Sequence, residues 1–176
     1  MSHELHELYN QDFNKPAQWR FVSDGVMGGQ SQGKVTLAER NESGCSCLEG
    51  QVSLANNGGF IQMQLDLQAF NDGEVYNAQG FDGLYLEVLG NSQEYSVHLR
   101  TTQLWLPWQS FRQSFKVTPQ WQRIYLPFTD FESYKTFAKL DVHKLKRLGL
   151  LAIGREFEAD VCVRSLGFYK NKTISV

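Results

Sequence analysis

The strongest constraint on this chain is a side-chain alternation of period two. Phe60-Ile61-Gln62-Met63-Gln64-Leu65-Asp66-Leu67 sets Ile61, Met63, Leu65 and Leu67 on one side of the backbone. Only an extended strand brings every second residue to one face; a helix would spread these four around its axis. The same alternation returns at Lys34–Ala38, Leu84–Leu89, Phe111–Phe115 and Val161–Tyr169. In Glu94–Thr101 it sets Tyr95, Val97 and Leu99 against Ser96, His98 and Arg100. Cys45 and Cys47 flank Ser46 in a further run that Val52 and Leu54 continue, and Trp19–Val22 and Trp121–Leu126 add apolar stretches of strand length. Gly149–Gly154 reads as a strand buried on both faces. Nine or ten short strands separated by glycine, asparagine and proline predict an all-β sandwich or barrel.

Two segments depart from the pattern. Leu140, Leu145 and Leu148 can share a helical face, with Asp141 where an acid favours a helix N-terminus, so 140–148 is expected to be the one helix. Leu5 and Leu8 are three apart in a polar stretch, which predicts a short helical lead-in over 1–12. With no internal repeat or change of composition, the chain divides into a lead-in (1–18), one β-sandwich domain (19–169) and a tail (170–176). Its 176 residues suffice for one core, burying roughly 70% of the unfolded surface.

Two glycine loops punctuate the first half. Trp19–Ser31 reads W-R-F-V-S-D-G-V-M-G-G-Q-S, with Asp24-Gly25 and Gly28-Gly29 almost adjacent, and Asn56-Asn57-Gly58-Gly59 repeats the device between apolar runs. Glycine reaches positive φ without a Cβ clash, and Asp or Asn can hold a bend through its own backbone. A plain hairpin needs one such turn. The doubled turns suggest that the two loops meet and fix the sandwich.

Composition excludes several classes. Net charge is −2 and no Lys/Arg stripe runs along the sequence, so a nucleic-acid partner is not expected; the basic residues Lys139, Lys144, Lys146 and Arg147 read as a solvated face. No apolar run approaches the ~20 residues of a membrane span. The acidic start lacks a signal peptide or transit-peptide pattern, and three cysteines are an odd number, so the chain reads as cytoplasmic.

Catalytic motifs are missing. Gly28-x-x-x-x-Gly33-Lys34 approaches a phosphate loop, but Val35 stands where a Ser or Thr must bind magnesium, and a strand follows instead of a helix. Asp82, Glu87, Asp130, Glu156 and Glu158 offer carboxylates with nothing to bring two together. Asp24 with Asn56 and Asn57 offers oxygen ligands for a structural calcium; Asx-turns are the commoner use of such residues, and no cofactor is expected. Cys45 and Cys47 share a strand face, with Cys162 and His98 the conceivable further zinc ligands, but buried free thiols are the expected fate. His3 and His6 are expected in solvent, and His143 on the polar side of the helix. The binding candidates are Arg100, His98, Trp105 and Trp108. An arginine fork recognises carboxylate or phosphate at two points, and tryptophans beside it suit stacking on a sugar or a protein hot spot. The alternatives are a tryptophan pair capping the core and an arginine satisfied by a neighbouring strand.

The order of motifs resembles a known family. W-x-x-x-x-D-G-V-M-G-G-x-S at Trp19–Ser31 is followed by S-L-x-N-N-G-G-F at Ser53–Phe60 and F-D-G-L at Phe81–Leu84. L-R-T at Leu99–Thr101, W-Q-R-I-x-L-P-F-T-D-F at Trp121–Phe131 and L-G-L-L-A-I-G at Leu148–Gly154 complete the series. Together they resemble the complex I intermediate-associated protein 30 domain over Trp19–Tyr169. The resemblance implies a jelly-roll sandwich similar to galactose-binding domains. It also implies a non-catalytic assembly or interaction role toward protein partners, respiratory-complex subunits among them, since mitochondrial members assist assembly of NADH:ubiquinone oxidoreductase. Without the nucleotide-binding domain or presequence of other members, the chain resembles a stand-alone bacterial type. The alternative is a carbohydrate- or small-molecule-binding module using a concave sheet; an enzyme comes third.

Overall fold

In the computed structural model, which describes residues 2–10 and 19–172, twelve strands build two antiparallel sheets. The first contains β1 (His3–Asn10), β3 (Gln32–Arg40), β4 (Ser43–Val52), β6 (Gly83–Gly90), β9 (Gln122–Pro127) and β12 (Phe157–Asn171). Its order is β3-β4-β12-β6-β9, with β1 also on β12. The long β12 makes this possible: residues 157–163 pair with β4 and residues 165–171 with β1. The second sheet has the order β10-β8-β7-β11-β5-β2. Its strands are β2 (Arg20–Ser23), β5 (Phe60–Asp66), β7 (Glu94–Thr101), β8 (Ser110–Lys116), β10 (Glu132–Tyr134) and β11 (Leu145–Ile153).

The core lies between the sheets. Leu48, Leu84, Leu86, Val161, Val163 and Phe168 from the first meet Ile61, Met63, Val97, Leu99, Phe111 and Leu150 from the second, all fully buried. Each such side chain contributes roughly 1.5–3 kcal/mol of transfer free energy. The predicted strands are all present, and the jelly-roll sandwich is the fold.

Both helical expectations fail for one physical reason. Residues 142–144 form a single 3-10 turn, the Asp141 carboxylate accepting from His143 N at 3.0 Å, and residues 145–148 of the predicted helix belong to strand β11. A bulge between Leu145 and Arg147 inserts an extra residue opposite β7. Leu145 and Leu148, three apart, therefore both face the core, and an odd spacing on one strand imitates a helical face. In β1 a register shift between Glu7 and Tyr9 likewise interrupts the period, and Tyr9, buried, hydrogen-bonds Ser46 at 2.7 Å. The first part of the predicted lead-in is thus a strand; residues 11–18 and 173–176 lie outside the described residues.

The cysteines also differ from expectation. Cys47 and Cys162 are register partners and form a disulfide, leaving Cys45 as the free thiol, its sulfur 3.6 Å from that of Cys47. The three buried sulfurs sit on the outer face of the first sheet, packed under Ala38 and Trp121. His98 lies on the other sheet, so it cannot complete a zinc set with them. An odd count therefore reflects one pair plus one thiol and does not assign a compartment. His3 is also less exposed than predicted, half-buried with its ring 4.0 Å from that of Tyr125.

Candidate functional site

The two glycine loops do meet, and the residue that joins them is Asp24. Its carboxylate is completely buried and accepts four hydrogen bonds. Ser31 donates from N (3.1 Å) and Oγ (2.6 Å), Gly59 N donates at 2.6 Å and Phe60 N at 3.2 Å. Burial alone pushes the Asp24 pKa up; these donors outweigh it and hold the group below the usual carboxylate range. Gly29 and Gly58 are required because a Cβ on either would run into this carboxylate. Gly28, at φ +85°, closes the 3-10 turn Asp24–Met27 from the left-handed region, where Gly25 N bonds Ser23 Oγ. Asn56 and Asn57 take the same left-handed region in the second loop, and Asn56 Nδ2 reaches Gly28 O at 3.4 Å. Four N–H and O–H donors fill the positions of the Asp24 carboxylate that a calcium ion would need. This cluster ties loops together.

A second cluster faces outward. Because Tyr95, Val97 and Leu99 point into the core, Ser96, His98 and Arg100 of β7 lie on the outer face of the second sheet. Strand pairing extends the face: His98 stands opposite Arg112 of β8 and Gly149 of β11, and Gly149 opposite Gln64 of β5. Arg100 stands opposite Arg147, and Arg20 of β2 opposite Gln64. The face is hollowed: Ser96, His98, Ser110 and Leu151 all point outward yet are buried. A groove of about 430 Å³ opens over the β7–β8 side, lined by Ser96, His98, Arg112 and Ser114 together with Glu94, Asp130, Glu132 and Arg155.

Electrostatics on this face are unusual. Burial, then the neighbouring Arg112, drives the His98 pKa down to about 3, so the imidazole is neutral at ordinary pH. Its Nε2 has no hydrogen-bond partner. Burial also lowers the pKa of Arg100, Arg112 and Arg147; Arg147 adds to the effect on Arg100, and Arg20 to that on Arg147. Arg112 donates from Nε to Ser110 Oγ at 2.8 Å and stacks 3.4 Å over the Tyr134 ring.

At the end of the face stands an aromatic rim. Trp105 is 89% exposed and Trp108 56%, so the tryptophans do not cap the core. Leu106, between them in sequence, Tyr134 at the end of β10 and Phe137 on the loop that follows are also exposed. Arg100 Nη1 donates to the carbonyls of Leu106 (2.9 Å), Pro107 (3.4 Å) and Gln109 (2.6 Å). Gln109, unremarked in the sequence, is the hub: its Oε1 accepts from Trp105 N (3.1 Å) and Leu106 N (3.0 Å), and its Nε2 donates to Lys135 O at 3.1 Å. The last bond joins the tryptophan loop to the loop bearing Phe137.

The structure thus brings Arg100 to the tryptophan loop and His98 to the groove. Several of the conjectured carboxylates have structural partners: Glu87 pairs with Arg123 and Arg164, and Asp82 and Glu156 accept backbone N–H groups, while Asp130 lines the groove. Arg112 was legible from the alternation of β8, with Phe111 and Phe115 turned inward. Arg147 was not, because its strand reads as a helix. No helix among the described residues is long and apolar enough to cross a membrane.

The sequence profile of complex I intermediate-associated protein 30 (CIA30) matches residues 8–162. The chain belongs to the CIA30 family. No curated protein matches it closely enough in sequence to be recognised as a relative. Among solved structures, this CIA30 domain is similar to a family 11 carbohydrate-binding module of a Clostridium thermocellum cellulosomal cellulase. The TM-score is 0.74 at 10% identity, covering 98% of this chain and 99% of that one. The same family in complex with a β-1,3-1,4-mixed-linked tetrasaccharide gives TM-score 0.72 at 11% identity, with 92% and 93% covered. A family 30 carbohydrate-binding module of Clostridium thermocellum gives 0.65 at 14%, with 95% and 98% covered. At these identities the likeness establishes the fold alone.

Proposed function

We propose that this CIA30 domain is a non-catalytic interaction module of the assembly-factor kind, docking a protein partner through its aromatic rim. The observation that carries the reading is the exposure of Trp105, Trp108 and Phe137 on two loops that are hydrogen-bonded to each other. Large aromatics dominate interface energies, and a loop already held in place loses less entropy on binding. Arg100 and Gln109 supply that hold, so they position the contact instead of making it. The family description supports a partner among the subunits of NADH:ubiquinone oxidoreductase. The test is affinity purification of the tagged chain from its own cells, beside a Trp105→Ser/Phe137→Ser variant, with mass spectrometry. Enrichment of respiratory-complex subunits that the variant loses is the expected result. Equal capture by the variant, or a preparation without those subunits, overturns the reading.

A second reading is favoured by a separate observation: the groove over the hollowed face, with His98 and Arg112 in its lining, is of ligand size. A solved structure of similar fold is a complex with a tetrasaccharide, which supports a saccharide as the ligand class.

A further inference from the structure

Four arginines from four strands stand on the outer face of the second sheet, and among the described residues none of them makes an ion pair. Arg147 and Arg100 are direct register partners. Arg20 and Arg112 lie on the strands beyond, β2 and β8. Like charges set opposite one another in a sheet are destabilising. Among the described residues the ion-paired cations are Arg40, Arg123, Arg164, His143 and Lys144, none of them on this face. Asp66, opposite Arg147, is exposed and spends Oδ1 on Gln68 N at 3.0 Å. Of the other carboxylates nearby, Asp130 and Glu132 stand at the β10 end and Glu94 opens β7 at the groove, so on the β2–β11–β7 half Arg20, Arg147 and Arg100 outnumber Asp66 and Glu94. From β2 to β8 the row spans four inter-strand steps, roughly 19 Å, which suits an extended ligand.

Between the arginines the face carries groups that can both donate and accept. Gln62 and Gln64 of β5, Ser96 of β7 and Ser114 of β8 occupy the outward positions. Gly149, in the centre, has no side chain of its own, and the Gln62 amide lies over it. His98, 8% exposed with Nε2 unpartnered, lies beside it. A hydroxyl serves either tautomer of a neutral imidazole, as donor or as acceptor, whereas a carboxylate serves only one.

We infer that the outer face of the β10-β8-β7-β11-β5-β2 sheet binds an acidic oligosaccharide, its carboxylate or sulfate groups held by Arg20, Arg147, Arg100 and Arg112 and its hydroxyls by the polar residues between them. This specifies the ligand class of the second reading above and rests on it. The arginine forks give two-point recognition of carboxylate and sulfate, and bound anions relieve the repulsion between Arg100 and Arg147.

The test is isothermal titration of the full chain with tetragalacturonate, a heparin-derived tetrasaccharide, a neutral mixed-linkage glucan tetrasaccharide, a tetraglutamate peptide and an oligo-dT of eight nucleotides. Binding of either acidic sugar, tenfold or more tighter than the neutral one and weakened several-fold by raising salt, is expected. The uronate and the sulfated probe tell which anion is preferred. Arg147→Gln should lower the affinity at least tenfold. Arg20→Gln, on the edge strand β2, is the companion variant should Arg147→Gln fold poorly; thermal melts decide that. Equal or tighter binding of the neutral glucan, untouched by either variant, overturns the charge assignment and leaves the saccharide reading standing. Binding of no sugar overturns both. Equal or tighter binding of the peptide or the oligonucleotide overturns the saccharide class.

Discussion

The two sheets treat their outward arginines in opposite ways. On the first, Arg40 pairs with Glu49 at 3.0 Å and Asp160 at 3.5 Å. Arg164 and Arg123 share Glu87 at 2.8 and 3.2 Å, and Arg164 also lies 4.8 Å over the Trp121 ring that helps cover the cysteines. On the second, Arg20, Arg100, Arg112 and Arg147 have no ion pair among the described residues, and His98 lacks a partner for Nε2. The Asp24 junction belongs with the first pattern, since every donor around it is used. Partnered polar groups hold a fold; polar groups left short by the fold are available to something else.

The comparison can be broken at three points. The largest effect belongs to Asp24→Ala, which strands four donors in a buried site; we expect a loss of roughly 3–5 kcal/mol in urea unfolding. A loss under 1 kcal/mol would remove Asp24 from the partnered class and the loop junction from its role.

Next comes His98. Its folded pKa is below the unfolded value, so the unfolded state takes the proton first and stability falls as pH drops below the unfolded pKa. Between pH 6.5 and 4.5 that amounts to about 2 kcal/mol. The loss should be absent from His98→Gln in the same window. Parallel pH profiles for the two proteins would mean that His98 is not desolvated as the structure shows.

The smallest effect separates the two sheets most sharply. Arg164→Met should cost about 1 kcal/mol through its lost ion pair and ring contact. Arg147→Met should leave stability within about 0.5 kcal/mol or raise it, since the cost of burying the charge and the repulsion from its arginine neighbours outweigh the attraction of the exposed Asp66. Equal losses would show that both faces use arginine structurally.

Much of this was legible from residues alone. The inward set Tyr95, Val97 and Leu99 told that His98 and Arg100 face out, and the doubled glycines told that two loops need close approach and left-handed backbone. Gln109 gave no such sign, because a side-chain amide becomes a hub only once the tryptophan loop and the loop after β10 are adjacent. The absence of a basic stripe along the chain was equally uninformative about the sheet, where four strands each contribute one arginine.

Period-two alternation, turn residues and an ordered series of motifs sufficed to determine a β-sandwich of the CIA30 family, because strand periodicity is local and survives without knowledge of partners. Register is not local. Only the tertiary structure decided that bulges turn Leu145 and Leu148 to the same side, that Cys47 faces Cys162, and that Arg100 meets Arg147. Each of these depends on which strand lies alongside and at what offset, and a shift of one residue would send every side chain to the other face.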